Sequence, residues 1–346
     1  MESAGRRLIE EEAMKVVAQH RYGGPDVLQI EERAMPMPGA GEVLVRVHAC
    51  TVTLADCAFR KADPFIVRLF GGLFRPRNDV LGDDIAGVVE AVGPGISRFR
   101  PGQSVYGSVG ANLGGMAEYV CLPESAAIVP APEGQAVLPL SGLSYAYLTA
   151  MPFIRDEARV KPGDKVLIHG AAGSVGAIGL QLAKHFGAEV TAVASGRHAS
   201  LLRELGADHV IDRQAEDFTS HRAAYDVIFD AVGKSNFARC TPALRPGGIY
   251  LTTVPGWGIL WLMLTGGRRG DKRGKLATTG LRPVADKLRD LELLNDLLVR
   301  SAVRPVVDRI FPLEQVAEAH RYVESEQKAG DVVVEVTPNP QWETES

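Results

Sequence analysis

The chain changes texture near residue 137. Before it, short β-branched and apolar runs at 15–18, 42–49, 85–92, 104–107 and 117–122 are separated by Gly and Pro. That pattern predicts an antiparallel β unit over residues 1–137. From about Leu138, strand-like runs at 165–168, 190–194, 209–211, 227–230 and 248–254 alternate with helical stretches. Such alternation predicts a doubly wound parallel sheet over 138–300, closed by a helix at 284–299. The tail, 301–346, returns to mixed texture, with a strand at 305–310, a helix at 313–322 and a last strand at 332–336. The fold class is therefore α/β, a β domain joined to a dinucleotide-type sheet.

The most informative stretch is VLIHGAAGSVG at 166–176, an apolar strand running into glycines spaced GxxGxxG, with a helix expected over 177–186. Dinucleotide pyrophosphates bind at such turns, because glycines let the backbone approach the phosphates and the helix N-terminus offers free N–H groups. Ala172, Gly173, Ser174, Val175 and Gly176 are the expected donors. Val232 and Gly233, after the fourth strand, are placed beside the nicotinamide ribose, and Val254 and Pro255, after the next, beside its ring.

An Asp or Glu about twenty residues past the glycines would bind the ribose 2′-hydroxyl of NAD. Here the strand VTAVA at 190–194 ends in Ser195-Gly196-Arg197, without an acid. A hydroxyl and a guanidinium suit a 2′-phosphate instead, and Arg213 after the next strand adds a second positive group. The plainer reading makes both arginines solvated surface residues, and Asp212 adds a negative charge nearby. The balance favours NADPH as cofactor.

Length and composition narrow the class. At 346 residues the chain is long enough for two domains, and 46% hydrophobic with 23% charged residues is ordinary for a globular protein. A net charge of −4 does not favour a nucleic-acid partner. The four cysteines show no CxxC spacing and read as reduced thiols, which places the protein in the cytoplasm. No apolar run is long enough to span a bilayer, and the first residues, with four glutamates, lack the apolar core of a secretory signal. One unusual feature is the apolar run 256–264 followed by GGRRGDKRGK. It reads either as a packed loop with a solvated flank or as a greasy lip, making weak membrane-surface contact through 256–275.

Several segments in order resemble the medium-chain dehydrogenase/reductase superfamily, in its zinc-free quinone oxidoreductase-like branch. They are LGDDIAGVVEAVG at 81–93, KPGDKVLIHG at 161–170, LGADHVID at 205–212, YDVIFDAVG at 225–233 and VVDRIFPLEQVAEAH at 306–320. The resemblance implies a chaperonin-10-like β domain completed by the tail, an inserted Rossmann domain, and an active site in the cleft between them. It also implies that catalytic zinc is absent. Where alcohol dehydrogenases of the superfamily have Cys, His and Cys, this chain has Thr53, Asp83 and Ser141, and Ala55 stands where they keep a relay hydroxyl. The closely spaced cysteines of the structural zinc lobe are missing too.

Thr53 is then the first candidate beside the nicotinamide, against a local backbone role, and Tyr145 is a candidate donor to a developing enolate, against a core or rim role. Tyr145 is expected at the start of the helix leading into the cofactor domain. Ser144 matches a hydroxyl position used near the cofactor in relatives. Without a Lewis acid, oxidising a simple alcohol is difficult, and reducing an activated acceptor is easier. The expected function is NADPH-dependent, metal-free hydride transfer to a small apolar quinone or α,β-unsaturated carbonyl. The alternative is a non-catalytic NADPH-binding redox sensor or partner protein. Relatives often dimerise through an edge strand, and 275–279 is a candidate for a homodimer contact.

Overall fold

In a computed structural model the described residues are 13–65, 67–110, 113–254, 267–277 and 279–338. Pro255, the apolar run 256–264 and the first twelve residues lie outside them.

The cofactor unit is a sheet ordered His209–Asp212, Glu189–Ala194, Lys165–His169, Tyr225–Asp230, Leu244–Thr252 and Lys272–Leu276, all parallel, with the short strand Arg268–Arg269 antiparallel at the edge. The order steps outward from Lys165–His169 in both directions, so the topology reverses at the glycine turn. Ligands of open α/β sheets bind at such a crevice. Period-two alternation explains the apolar strands. Val166, Ile168, Val227 and Phe229 face one helical layer, whereas Leu167, Ile228 and Tyr250 face the other.

The second sheet runs Val307–Pro312, Asp331–Glu335, Glu42–Val52, Asp84–Val92, Ser104–Ser108 and Ala127–Pro130, and Tyr119–Pro123 pairs with the start of Glu42–Val52. A separate hairpin, Ala13–Ala18 with Gln29–Ala34, precedes it. The expected antiparallel character holds except for one pair. Val307–Pro312 and Asp331–Glu335 run parallel, because the helix Val316–Glu324 carries the chain back between them. The tail thus completes the sheet that the first residues begin.

The two units share the helix Leu140–Met151, ten of whose twelve residues are buried. A helix apolar all round belongs in an interior, and this one packs on both the β sheet and the helix Ser174–His185. Tyr145 therefore lies in its second turn, not at its start, because the helix begins at Leu140 behind Pro139. No amphipathic period marks that beginning in the sequence.

Between the last helix and the last strand the chain touches the glycine turn. Gly330 forms a parallel bridge with Gly173, and its N–H donates to Ala172 O at 2.7 Å. Gly330 sits at φ +89°, and a Cβ there would lie 2.1 Å from Val306 O. Substituting Gly330→Ala should therefore cost about 2 kcal/mol or more, read as a lowered midpoint in urea denaturation. An unchanged midpoint would show that this junction yields without strain.

Candidate functional site

A cavity of about 770 Å³ opens where the two units meet. One wall is the glycine turn. The helix following it begins at Ser174, three residues earlier than expected, so Ser174, Val175 and Gly176 form its first turn. N–H groups of a first turn have no intrahelical acceptor and sit at the positive end of the helix dipole. Each glycine has its own reason. A Cβ on Gly176 would meet Gly170 O at 2.2 Å, and one on Gly170 (φ +79°) would strike Val232 at 2.4 Å. A Cβ on Gly173 would meet only Gly170 O, at 3.5 Å, so the space above it is open. Ala172 and these turn residues all line the cavity.

Lys328 also lines this wall and was not anticipated from sequence. Its ammonium donates to Ser174 Oγ at 2.7 Å and Gly330 O at 2.6 Å, and Ser174 in turn donates to Gly330 O at 3.0 Å. Removal from water pushes the Lys328 pKa down, opposed by the more distant carboxylates of Asp331 and Asp308. An ammonium bonded to neutral oxygens at a helix N-terminus is a fitting partner for a dianionic pyrophosphate. Nothing local in the sequence distinguishes it. Only the docking of the tail brings it to the turn.

Ser195, Arg197, His198 and Arg213 line one end of the cavity. Arg197 donates through Nη2 to Gln327 O at 2.5 Å and through Nε to His198 Nε2 at 3.0 Å. Burial holds the His198 pKa below its ordinary value, and the charges of Arg197 and Arg213 lower it further, so three basic groups converge. Asp212 is turned to its own backbone. Its Oδ1 accepts from Gln214 N at 3.0 Å, and its Oδ2 packs under Gly196, where a Cβ would lie 2.5 Å away.

The loop after the fourth strand is held by one carboxylate. Asp230 accepts from Gly233 N and Ser235 N, both at 2.9 Å, from Tyr250 Oη at 2.9 Å and from His169 Nδ1 at 3.1 Å. These donors keep its pKa below the usual carboxylate range despite burial. Val232 and Val254 line the cavity, whereas Gly233 lies behind Val254, close enough that a Cβ would meet Val254 Cβ at 2.5 Å.

The facing wall comes from the β unit and carries Thr53, Asp83, Asp84, Ser108 and Tyr145, with Leu54, Phe59 and Pro64 as apolar surface. Thr53 caps the helix Leu54–Lys61. Its Oγ1 donates to Asp56 Oδ2 at 2.6 Å and accepts from Asp56 N at 3.1 Å, and its own N–H donates to Asp56 Oδ2 at 2.8 Å. Burial nevertheless pushes the Asp56 carboxyl up to about 6. That helix is anchored to Val316–Glu324 by the buried Arg60, which donates to Gly23 O and pairs with Glu324, and by Cys57 against His320 at 3.4 Å.

Ser144, expected near the cofactor, does not reach the cavity. It is fully buried and donates to Asp84 Oδ1 at 2.9 Å. Asp84 is buried as well, its Oδ2 has no partner among the described residues, and burial holds its pKa well above the ordinary value. Burial likewise raises the Tyr145 pKa, with the charges of Asp56, Asp84 and Asp83 adding to it. Ser141, at the third ligand position, is buried and donates to Leu138 O at 2.9 Å. Among the described residues no three His, Cys, Asp or Glu side chains are grouped as a metal ion would need, and no helix is long and apolar enough to cross a membrane.

A turn that cradles phosphates facing a wall of acids and hydroxyls is the layout of a nicotinamide-dependent oxidoreductase. The Alcohol dehydrogenase GroES-like domain family matches residues 39–133, and the Zinc-binding dehydrogenase family matches 205–334. The chain is 31% identical to the NADPH-dependent alkenal/one oxidoreductase of Arabidopsis thaliana chloroplasts, over 94% of this chain and 80% of that one. It is 30% identical to a 2-haloacrylate reductase of a Burkholderia species, over 91% and 97% of the two chains. Among solved structures, the quinone oxidoreductase from Coxiella burnetii superposes with a TM-score of 0.83 at 27% identity, over 94% of this chain and 100% of that one. The protein belongs to the medium-chain dehydrogenase/reductase superfamily, in its quinone oxidoreductase-like branch.

Removing the cap tests how the β wall is held. Thr53→Ala should destabilise the protein by about 1 kcal/mol. It should also raise the Asp56 pKa above its value of about 6, because the lost hydroxyl bond favours the carboxylate while the backbone N–H bond remains. Chemical denaturation together with a carboxyl titration by NMR reads both effects, and an unshifted Asp56 would show that the cap does not tune it.

Proposed function

We propose that the protein is an NADPH-dependent reductase that transfers hydride, without a metal, to a quinone or an α,β-unsaturated carbonyl. The observation that carries this reading is the single cavity whose one wall suits a dinucleotide and whose other wall offers proton-bearing groups. The segments divide the work: 138–300 supplies most of the dinucleotide side, 1–137 most of the acceptor side, and the returning 301–346 completes the β unit while lending Lys328 to the phosphate wall. The metal-free reading rests on donor chemistry, since Thr53, Asp83 and Ser141 are not a zinc set. The quinone, enone and haloacrylate reductases among its relatives support the acceptor class.

Bound in this cavity, the reduced nicotinamide supplies the hydride. The N–H groups of Ala172, Ser174, Val175 and Gly176 and the Lys328 ammonium hold the pyrophosphate. The Gly173 N–H is spent on Gly170 O at 3.0 Å, and Gly173 only leaves the space open. Ser195, Arg197 and Arg213 read the 2′-phosphate. Val232 borders the ribose and Val254 the ring, while Gly233 supports them from behind Val254 and Pro255 lies outside the described residues. Thr53 and Tyr145 face the acceptor, and Ser144 acts through Asp84 behind them. The apolar surface of Leu54, Phe59 and Pro64 excludes water and favours a small apolar substrate. Homodimerisation through the edge near 275–279 and a weak lipid contact through 256–275 belong to the same reading.

NADPH consumption followed by absorbance against a panel of quinones and enones tests the activity. Tight NADPH binding with no turnover on any acceptor would leave a cofactor-binding protein instead of a reductase. Arg197→Ala should weaken NADPH about tenfold or more while sparing NADH, and Lys328→Ala should weaken both by a similar factor. Equal losses for the two cofactors in Arg197→Ala would remove that residue from 2′-phosphate recognition.

A further inference from the structure

Hydride delivery leaves an anion on the acceptor that needs a proton, and the β wall shows which group can give it. Asp83 stands immediately before the strand Asp84–Val92, held there by Val109 N donating to its carbonyl at 2.6 Å. Its Oδ1 accepts from Ser108 Oγ at 2.6 Å and from Gly110 N at 3.0 Å. Among the described residues no hydrogen bond falls on Oδ2, and the side chain is half-buried at the cavity surface. The charged and titratable groups facing it are Asp56, Asp84 and Tyr145 within the wall and Lys287 from the helix Val284–Val299. Three carboxyls thus crowd one cation. Burial raises the Asp83 pKa, against the Ser108 and Gly110 bonds and the Lys287 charge.

The other candidates are worse placed. The Thr53 hydroxyl hydrogen is committed to Asp56. The Tyr145 phenol is a weaker acid than usual here. Asp84 lines the cavity too, but it is almost wholly buried, less open to an acceptor than Asp83, and its Oδ1 is taken by Ser144.

We propose that Asp83 is the acid that protonates the reduced acceptor, a catalytic residue whose assignment rests on the reductase reading above. With an enone, hydride adds to the β-carbon and the C=C electron pair moves toward the carbonyl, forming an enolate. The Asp83 O–H bond then breaks, its proton passes to the enolate oxygen or α-carbon, and the bonding pair stays on the carboxylate. Water in the open cavity returns the proton to Asp83. The acceptor gains two electrons and two hydrogens in total, one hydrogen delivered as hydride and one as a proton from solvent through Asp83.

Two variants and two readouts test this. Asp83→Asn keeps an oxygen for Ser108 and Gly110 and removes the proton, so kcat should fall about a hundredfold or more. The loss of kcat with rising pH that the wild type shows should also disappear. Ser108→Ala removes a bond that favours the Asp83 carboxylate, so that alkaline loss should move to higher pH, a shift that mere loosening of the wall would not produce. In difference infrared spectra of the protein alone, the wild type should show a carboxylic-acid C=O band, lost as pH rises, that Asp83→Asn lacks. A kcat within twofold of wild type in Asp83→Asn, or an unchanged alkaline limb, or no such band, overturns the assignment while leaving the reductase reading intact. Absence of turnover by the wild type overturns both.

Discussion

The hydrogen bond from Gly330 N to Ala172 O fixes where two separately built sheets meet. It places a chain segment of the β unit against the phosphate-type turn of the cofactor unit. Lys328, two residues upstream, then places its ammonium on Ser174 Oγ and Gly330 O. Asp331, one residue downstream, is buried against the helix Leu140–Met151, where Gly142 leaves room that a Cβ would fill, 2.5 Å from the Asp331 carboxyl carbon. Burial holds the Asp331 pKa up and the Lys328 pKa down. Burial at the junction thus disfavours both charges, and an anion beside Lys328 would favour its ammonium.

The opposite wall obeys the same electrostatics with the sign reversed. The Asp83 charge raises both Asp56 and Asp84, Asp56 adds to Asp84, and Lys287 is the cation that acts on Asp83. Low dielectric, with like charge at Asp56 and Asp84, shifts these carboxyls toward the neutral acid. One cavity thus has a basic end at Arg197, Arg213 and Lys328 and an acid-lined face at Asp83 and Asp84. That division suits a dinucleotide and an enone or quinone lying side by side.

Much of the scaffold was legible in the sequence, because the parallel strands are apolar on both faces and each helix begins after Gly, Pro or a polar turn. The helix Val284–Val299 falls where its pattern places it. Other features needed tertiary context. The strand Leu244–Thr252 begins four residues early, through a bulge in its pairing with Tyr225–Asp230, and so releases Val254 toward the cavity. The helix takes in Gly176, and Gly170 O leaves no room for a Cβ there, which no local rule reports. Ser144 looked like a cofactor hydroxyl, yet its helix turns it inward onto Asp84. Asp83 registered only as a lost metal ligand. Its acidity depends on burial that exists once the units have closed. Lys328 carried no local signal, since its place follows from a contact made across most of the chain.

The parallel pair Val307–Pro312 and Asp331–Glu335 carries a consequence for biosynthesis. Asp331–Glu335 is the strand that borders Glu42–Val52, with Val332 opposite Val52. On the ribosome, the early strand waits with that edge unpaired while the whole cofactor unit is made. The strands of the cofactor sheet all lie within residues 165–276 and can pair before the tail is made, whereas the other sheet closes last. A chain stalled shortly before residue 331 would bear a finished dinucleotide unit beside an open, aggregation-prone sheet edge, and quality control would meet it in that form.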